Sequence, residues 1–285
     1  LELKLPYLTH VLVQSQLYKG DKMLVFVVPL KSKKASKSWD YTSKLFEQCL
    51  KSICNQSSPN FKVVVVYHDK PDIKFSHPHI SYVQAHFPAP ILEDGDGPMI
   101  IDRNLKVITG LCFARKLKPS HTMVIDADDC VSRKLAEFVS KYPDSNGWFV
   151  DDGYRYTDGS KRILPTDKLY RLCGSTTIVR QDLYDLPSDD ECADVKSLIK
   201  YHMNHGDIIQ IMADKGYPLE PLPFPSIVYV SSANKDNLFA KITLYRKFRQ
   251  NPKMLFSPIK KAALQIFVSQ PLTESICKEF TMQKI

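Results

Sequence analysis

Eight residues, Thr122-Met-Val-Ile-Asp-Ala-Asp-Asp129, bring together the features best suited to chemistry in this chain. An apolar run, Met123 to Ile125, reads as a buried strand that stops at three carboxylates, Asp126, Asp128 and Asp129. In an open α/β sheet the carboxyl ends of strands are where ligands sit. Acids this close repel one another, and a divalent cation is the simplest partner that would hold them together. Oxygen-only ligands favour Mg²⁺, Mn²⁺ or Ca²⁺ over zinc. The alternative reading of the same residues is an exposed acidic turn in which one acid caps the next helix.

Further acids and histidines stand outside this stretch. Asp151-Asp152-Gly153 has the composition of a hairpin turn into Tyr154-Arg155-Tyr156 rather than of a second metal site. Asp189-Asp190-Glu191 precedes a helical pattern from Val195 to His205, on which His202 and His205 are spaced to share a face. Cys173-Gly174-Ser175 is either a plain turn or a place where backbone approaches a ligand closely.

The elements that must position these groups follow from periodicity. Met23–Leu30 is a continuous apolar run, the mark of a strand covered on both faces. A helical period runs from Trp39 to about Ile53, and Phe61–Tyr67 is a second buried strand ending at His68-Asp69. Together they make a βαβ unit, so the two strands are expected to be parallel. Ile80–Val83 reads as a short third strand, and Phe87–Pro98 as a loop. Asp102 is expected to cap a helix over Arg103–Lys118. Beyond Asp129 the pattern predicts a helix at Arg133–Lys141, a strand at Gly147–Val150, a loop into a strand over Cys173–Arg180, and an irregular, proline-rich Leu219–Val230.

A chain of 285 residues with 44% hydrophobic and 25% charged residues can bury a full core, and no run of apolar residues is long enough to span a membrane. The N-terminus lacks the pattern of a secretory signal. Seven cysteines, an odd number without C-x-x-C spacing, predict reduced thiols and a cytoplasmic setting. The net charge of +8 is concentrated at the end: residues 235–285 carry ten Lys/Arg against Asp236, Glu274 and Glu279. The expected organisation is an N-terminal extension (1–22), a catalytic α/β domain (23–232) and a basic, helical C-terminal tail (233–285).

The order Val-Phe-Val-Val-Pro, helix, Val-Val-Val-Val-Tyr-His-Asp, Arg-Asn-Leu-Lys-Val-Ile-Thr-Gly-Leu-Cys-Phe-Ala and Met-Val-Ile-Asp-Ala-Asp-Asp resembles the nucleotide-sugar-binding half of GT-A glycosyltransferases, most of all the family 2 type, over about residues 23–135. The resemblance implies a mixed central sheet flanked by helices. It also implies transfer of a sugar from a nucleotide-diphosphate donor, UDP-linked by family frequency, to a hydroxyl on a saccharide or lipid-linked acceptor, with Mn²⁺ or Mg²⁺. By the same analogy Asp128 is the first metal ligand, Asp126 contacts the ribose or shares the metal, and Asp129 supports these ligands from behind or meets a sugar hydroxyl. Asp69 accepts from the base or ribose, and Pro29 and Leu30 line the nucleotide pocket. Arg103 or Lys106 neutralises phosphate or belongs to a solvated helix face. The catalytic base falls to Asp190, with Asp189, Glu191 and Asp207 as alternatives to it. His205 is a further metal ligand or a helix cap. The basic tail lies against an anionic membrane surface or is simply solvated, and nucleic acid is not an expected partner. Two rivals remain: a nucleotidyltransferase on a related fold, which would want a glycine-rich phosphate loop where Lys31–Ser38 has none, and a non-catalytic nucleic-acid or membrane-binding module driven by the tail.

Overall fold

In the computed structural model the described residues are 21–188, 207–231 and 268–282. They fold as a mixed α/β structure around a seven-stranded sheet, with a second sheet of five strands beside it. The first strand, β1 (Asp21–Pro29), is buried from Leu24 onward because it lies at the centre of the larger sheet. Its even-numbered side chains Leu24, Phe26 and Val28 join one core with Phe46, Leu50 and Ile53 of α1 (Trp39–Cys54). Its odd-numbered Val25 and Val27 join the opposite core with Leu105, Ile108 and Leu111 of α2 (Asp96–Lys116). A strand sandwiched in this way must be apolar at every position, which is why it reads as an uninterrupted hydrophobic run.

On one side of β1 lies β2 (Phe61–Tyr67) and then β3 (Ile80–Gln84); on the other lies β4 (Pro119–Val124), all parallel. Beyond β4 come β9 (Thr177–Arg180), antiparallel to it, then β6 (Gly147–Phe149) and β10 (Glu220–Pro221). The chain therefore leaves β1 toward β2 and returns to pair on its other edge with β4. A reversal of strand order between two parallel neighbours opens a crevice at their carboxyl ends.

The smaller sheet runs β12 (Gln270–Pro271), β8 (Arg162–Thr166), β7 (Gly153–Thr157), β11 (Ile227–Ser231), β5 (Cys130–Val131). Three shorter helices complete the described elements: α3 (Leu135–Lys141), α4 (Ile208–Asp214) and α5 (Glu274–Phe280). α5 closes the third core, where Ile276, Cys277 and Phe280 meet Tyr156, Val228 and Val230.

Several expectations are corrected here. Asp151-Asp152-Gly153 is not a hairpin turn: β6 and β7 belong to different sheets, and the link between them spends its carbonyls on Leu169 and Ser226. The hairpin is β7–β8, turned at Asp158-Gly159, where Gly159 has φ 85°. The helix after the Phe87–Pro98 segment begins at Asp96, so Asp102 sits inside it and caps nothing. Leu219–Val230 contributes two strands rather than irregular backbone. The C-terminal segment is not merely a helical tail, because residues 268–282 supply an edge strand and a buried helix to the body. Five described cysteines carry free thiols, but Cys112 is disulfide-bonded, so the reading of seven reduced thiols does not hold. Among the described residues no helix is long and apolar enough to cross a membrane.

One buried histidine makes the fold acid-sensitive. His121 on β4 is fully buried, its Nε2 donating to the Ser145 carbonyl at 2.9 Å while its ring packs 5.0 Å from Trp148. Burial drives its pKa down from 6.5 to about 4. The unfolded chain therefore binds this proton before the folded one does. Stability is full above pH 6.5 and is lost as the pH falls toward 4, by about 3 kcal/mol. Urea midpoints measured from pH 7 to 4.5 are expected to fall more steeply in the wild type than in a His121→Gln variant; parallel slopes would contradict this.

Candidate functional site

β4 ends at Val124, and Ile125 makes one more bond to β1, its N–H donating to the Val27 carbonyl at 2.9 Å. The chain then turns tightly, Asp129 N–H donating to the Asp126 carbonyl at 3.1 Å. This turn lies at the β1/β4 crevice and delivers the three carboxylates to three different surroundings.

Asp126 meets α2. Its Oδ1 accepts from Arg103 Nε at 2.7 Å and lies 2.7 Å from Nη2, while its backbone N–H donates to Ser175 Oγ at 2.8 Å. Burial works against the Arg103 charge, but Asp126 outweighs it and raises the guanidinium pKa, so Arg103 keeps its charge. Nη2 makes no well-directed hydrogen bond and retains donors. Gly174 lies directly against this pair: a Cβ there would stand 2.5 Å from Arg103 Nη2 and 2.6 Å from Asp126 Oδ2. The Cys173-Gly174-Ser175 loop is thus a close-approach loop, and it packs on the acid end of β4.

Asp128 opens into a cavity of about 140 Å³ between α1 and the second sheet, shared with Lys44, Glu47, Lys51 and Asp158. Asp129 turns inward and is fully buried. Its Oδ2 accepts from Ser175 Oγ at 2.6 Å and Cys173 Sγ at 3.0 Å, and its Oδ1 from the Val230 N–H at 3.1 Å. Burial, followed by the neighbouring Asp128 and Asp126 charges, pushes its carboxyl well above the usual range. Of the two roles expected of Asp129, this burial fits the supporting one: the acid ties the turn to β11 and to the Cys173–Ser175 loop.

Three residues expected to meet the donor are buried. Pro29 and Leu30 are enclosed, Leu30 with no exposure at all, and neither is among the residues that line the cavity at Asp128. Lys106 is 1% exposed and donates to Asp102 Oδ2 at 2.6 Å instead of facing a phosphate. Asp69, two residues beyond β2, accepts the Lys33 N–H through Oδ2 at 2.9 Å and fixes the loop after β1. Asp207 is exposed at the start of α4. Asp189, Asp190, Glu191 and His205 fall outside the described residues, as does most of the basic tail.

Among the described residues no three Asp, Glu, His or Cys side chains converge as a metal cluster. Sequence reasoning missed Ser175, which joins Asp126 to Asp129, and the contact of His68 Nε2 with Asp102 Oδ1 at 2.8 Å. The pairing of His68 with Asp102 carries no linear signal, because the two are far apart in sequence, whereas Asp102 and Lys106 are one helical turn apart on α2.

No family model matches the chain, and no curated protein matches it in sequence. Solved structures similar to it include a 4-diphosphocytidyl-2C-methyl-D-erythritol synthase from Anaerococcus prevotii, at 8% identity and a TM-score of 0.40, covering 78% of this chain and 96% of that one. A 2-C-methyl-D-erythritol 4-phosphate cytidylyltransferase from Francisella tularensis gives 10% identity and a TM-score of 0.39, with 78% and 99% covered. A putative nucleotide-diphospho-sugar transferase from Desulfovibrio desulfuricans gives 9% and 0.36, with 86% and 97% covered.

Proposed function

We propose that this chain is a glycosyltransferase that moves a sugar from a nucleotide-diphosphate donor, UDP-linked, to a hydroxyl on a saccharide or lipid-linked acceptor. The observation that carries the reading is the pairing of Arg103 with Asp126 at the carboxyl end of β4, beside the strand-order reversal. There a fixed cation stands next to carboxylates, which is what a diphosphate and its counter-ion require.

The donor set suits a divalent cation. Asp126 and Asp128 offer only oxygen, and their charges, after burial, push the Asp129 carboxyl up. Mn²⁺ or Mg²⁺ held by Asp126 and Asp128 would supply charge neutralisation for the departing diphosphate. Arg103 binds and orients the phosphates, Asp69 holds the loop after β1 against the donor, and Ser175 keeps Asp126 and Asp129 in register. Deprotonation of the acceptor falls to the Asp189–Glu191 acids, with Asp190 first, and His205 is a further candidate ligand. The basic tail is a candidate for contact with an anionic membrane surface.

The loop after β1 argues against nucleotidyl transfer. Three of its amides are committed, Lys33 N–H to Asp69, Ala35 N–H to Ser32 Oγ and Ser36 N–H to the Lys33 carbonyl, and these are closed to a phosphate. A thermal-shift screen of nucleotide sugars with and without Mn²⁺ tests the proposal: the largest stabilisation is expected with a UDP-sugar and metal together, and no response to any nucleotide sugar would overturn it.

Gly174 supplies a local check. The atoms that a Cβ would strike are the ends of two flexible side chains, so Gly174→Ala is expected to change stability by less than about 1 kcal/mol. It should nonetheless weaken UDP binding roughly tenfold by displacing the Arg103 guanidinium. Unchanged affinity in calorimetric titration would show that this loop does not serve the donor.

A further inference from the structure

His68, Asp102 and Lys106 form a buried chain of titratable groups that the transfer chemistry above does not use. Their side chains are 9%, 8% and 1% exposed. Asp102 sits between the other two, Oδ2 accepting from the Lys106 ammonium at 2.6 Å and Oδ1 lying 2.8 Å from His68 Nε2. A carboxylate bonded to an ammonium is an acceptor only, so the proton of the His68–Asp102 contact belongs to Nε2. In the neutral ring Nδ1 is then a bare acceptor. Among the described residues no partner meets Nδ1, and it is not one of the sealed, unsatisfied atoms. Phe87 holds the ring edge-on at 5.1 Å, so it cannot turn freely.

Burying a lysine and an aspartate in this way is expensive, and an apolar pair of the same size would usually serve stability as well. What the ionic pair does that an apolar pair could not is fix one imidazole tautomer. The fixed ring follows β2 and precedes Asp69, and its partner Asp102 is next in α2 to Arg103, the cation that the proposed function gives to the diphosphate.

We propose that His68 is a specificity-determining residue whose Nδ1 accepts a hydrogen bond from the donor's nucleobase, with Asp102 and Lys106 as positioning residues that hold its tautomer. The base must then offer a ring N–H, as uracil does at N3. This inference rests on the functional reading above and names the base that the site selects.

The experiment is a cycle of titrations using UDP and N3-methyl-UDP, in which the methyl group removes only that proton, against the wild type and His68→Phe. In the wild type N3-methyl-UDP is expected to bind about tenfold more weakly than UDP, and in His68→Phe the two should bind alike. Equal binding of both ligands to the wild type, or the same penalty in both proteins, overturns the assignment of His68 while leaving the proposed function standing. Binding of other nucleoside diphosphates without UDP also overturns it, whereas failure of every nucleoside diphosphate to bind overturns the functional reading itself. Should His68→Phe not fold, ¹⁵N NMR of the wild-type imidazole decides: UDP, but not its N3-methyl analogue, is expected to shift the Nδ1 resonance, and no shift with UDP counts against the proposal.

Discussion

Asp126→Asn is expected to slow sugar transfer by roughly a hundredfold to a thousandfold, the effect of weakening the hold on a cation that would neutralise the charge a leaving group develops. The substitution keeps shape and leaves the backbone bond to Ser175 intact, so the turn should survive. Its structural penalty is bounded by the geometry, because Asp126 and Arg103 are 30% and 26% exposed and water partly screens the loss of the pair. About 1 kcal/mol is the scale for such a pair. Arg103→Gln breaks the same ion pair from the other side and separates the two roles. If the pair were only a strut, both variants would lose the same stability and the same activity. If Arg103 binds phosphate while Asp126 serves the cation, Arg103→Gln should chiefly raise the donor KM and Asp126→Asn chiefly lower kcat. Steady-state kinetics over a range of donor concentrations, with thermal melts alongside, distinguishes the two cases.

Removal of residues 268–285 is expected to abolish the cooperative fold rather than trim a tail. Leu272, Ile276, Phe280 and Met282 are buried against the second sheet. Losing four such side chains forfeits on the order of 6 to 10 kcal/mol of burial, as much as a whole domain commonly has to spare. The segment also reaches the elements flanking the acid turn: Gln48 donates to the Thr281 carbonyl, Asn55 to Thr281 Oγ1 at 3.0 Å, and Ser132 to Glu279. Circular dichroism melts of the truncated chain should lack a sharp transition. A truncated protein that melts cooperatively and still responds to UDP with Mn²⁺ would show that the segment is an accessory after all.

The central half of the fold was legible because its physics is local. A strand covered on both faces must be apolar throughout, and an amphipathic helix must repeat with the helical period, so β1, α1 and β2 could be read nearly to their ends, and β4 at its carboxyl end. Beyond β4 the pattern still located α3, β6 and β9, but not β8, β11 and β12, which are short and pair with distant segments that leave no pattern in sequence. Asp152-Gly153 had turn chemistry, yet the true hairpin turned at Asp158-Gly159, and only tertiary pairing decides between two such dipeptides. At the site, the acid tip of β4 announced itself as a cluster of types. Which way each carboxylate points did not, since Asp129 is drawn inward by Ser175, Cys173 and Val230, none of them nearby in sequence. Lys106 misled for the related reason that a lysine on a helix reads as solvated, and its buried partner lies one turn before it on the same helix.

Whether the turn after β4 grips a cation that bridges a diphosphate is read most directly by electron paramagnetic resonance of Mn²⁺ in the full-length protein, with UDP enriched in ¹⁷O at the phosphates. Broadened protein-bound Mn²⁺ lines in the wild type, lost in Asp128→Ala, are the predicted result. Mn²⁺ lines that remain those of the free ion–nucleotide complex, or broadening that persists undiminished in Asp128→Ala, would contradict the assignment of that turn.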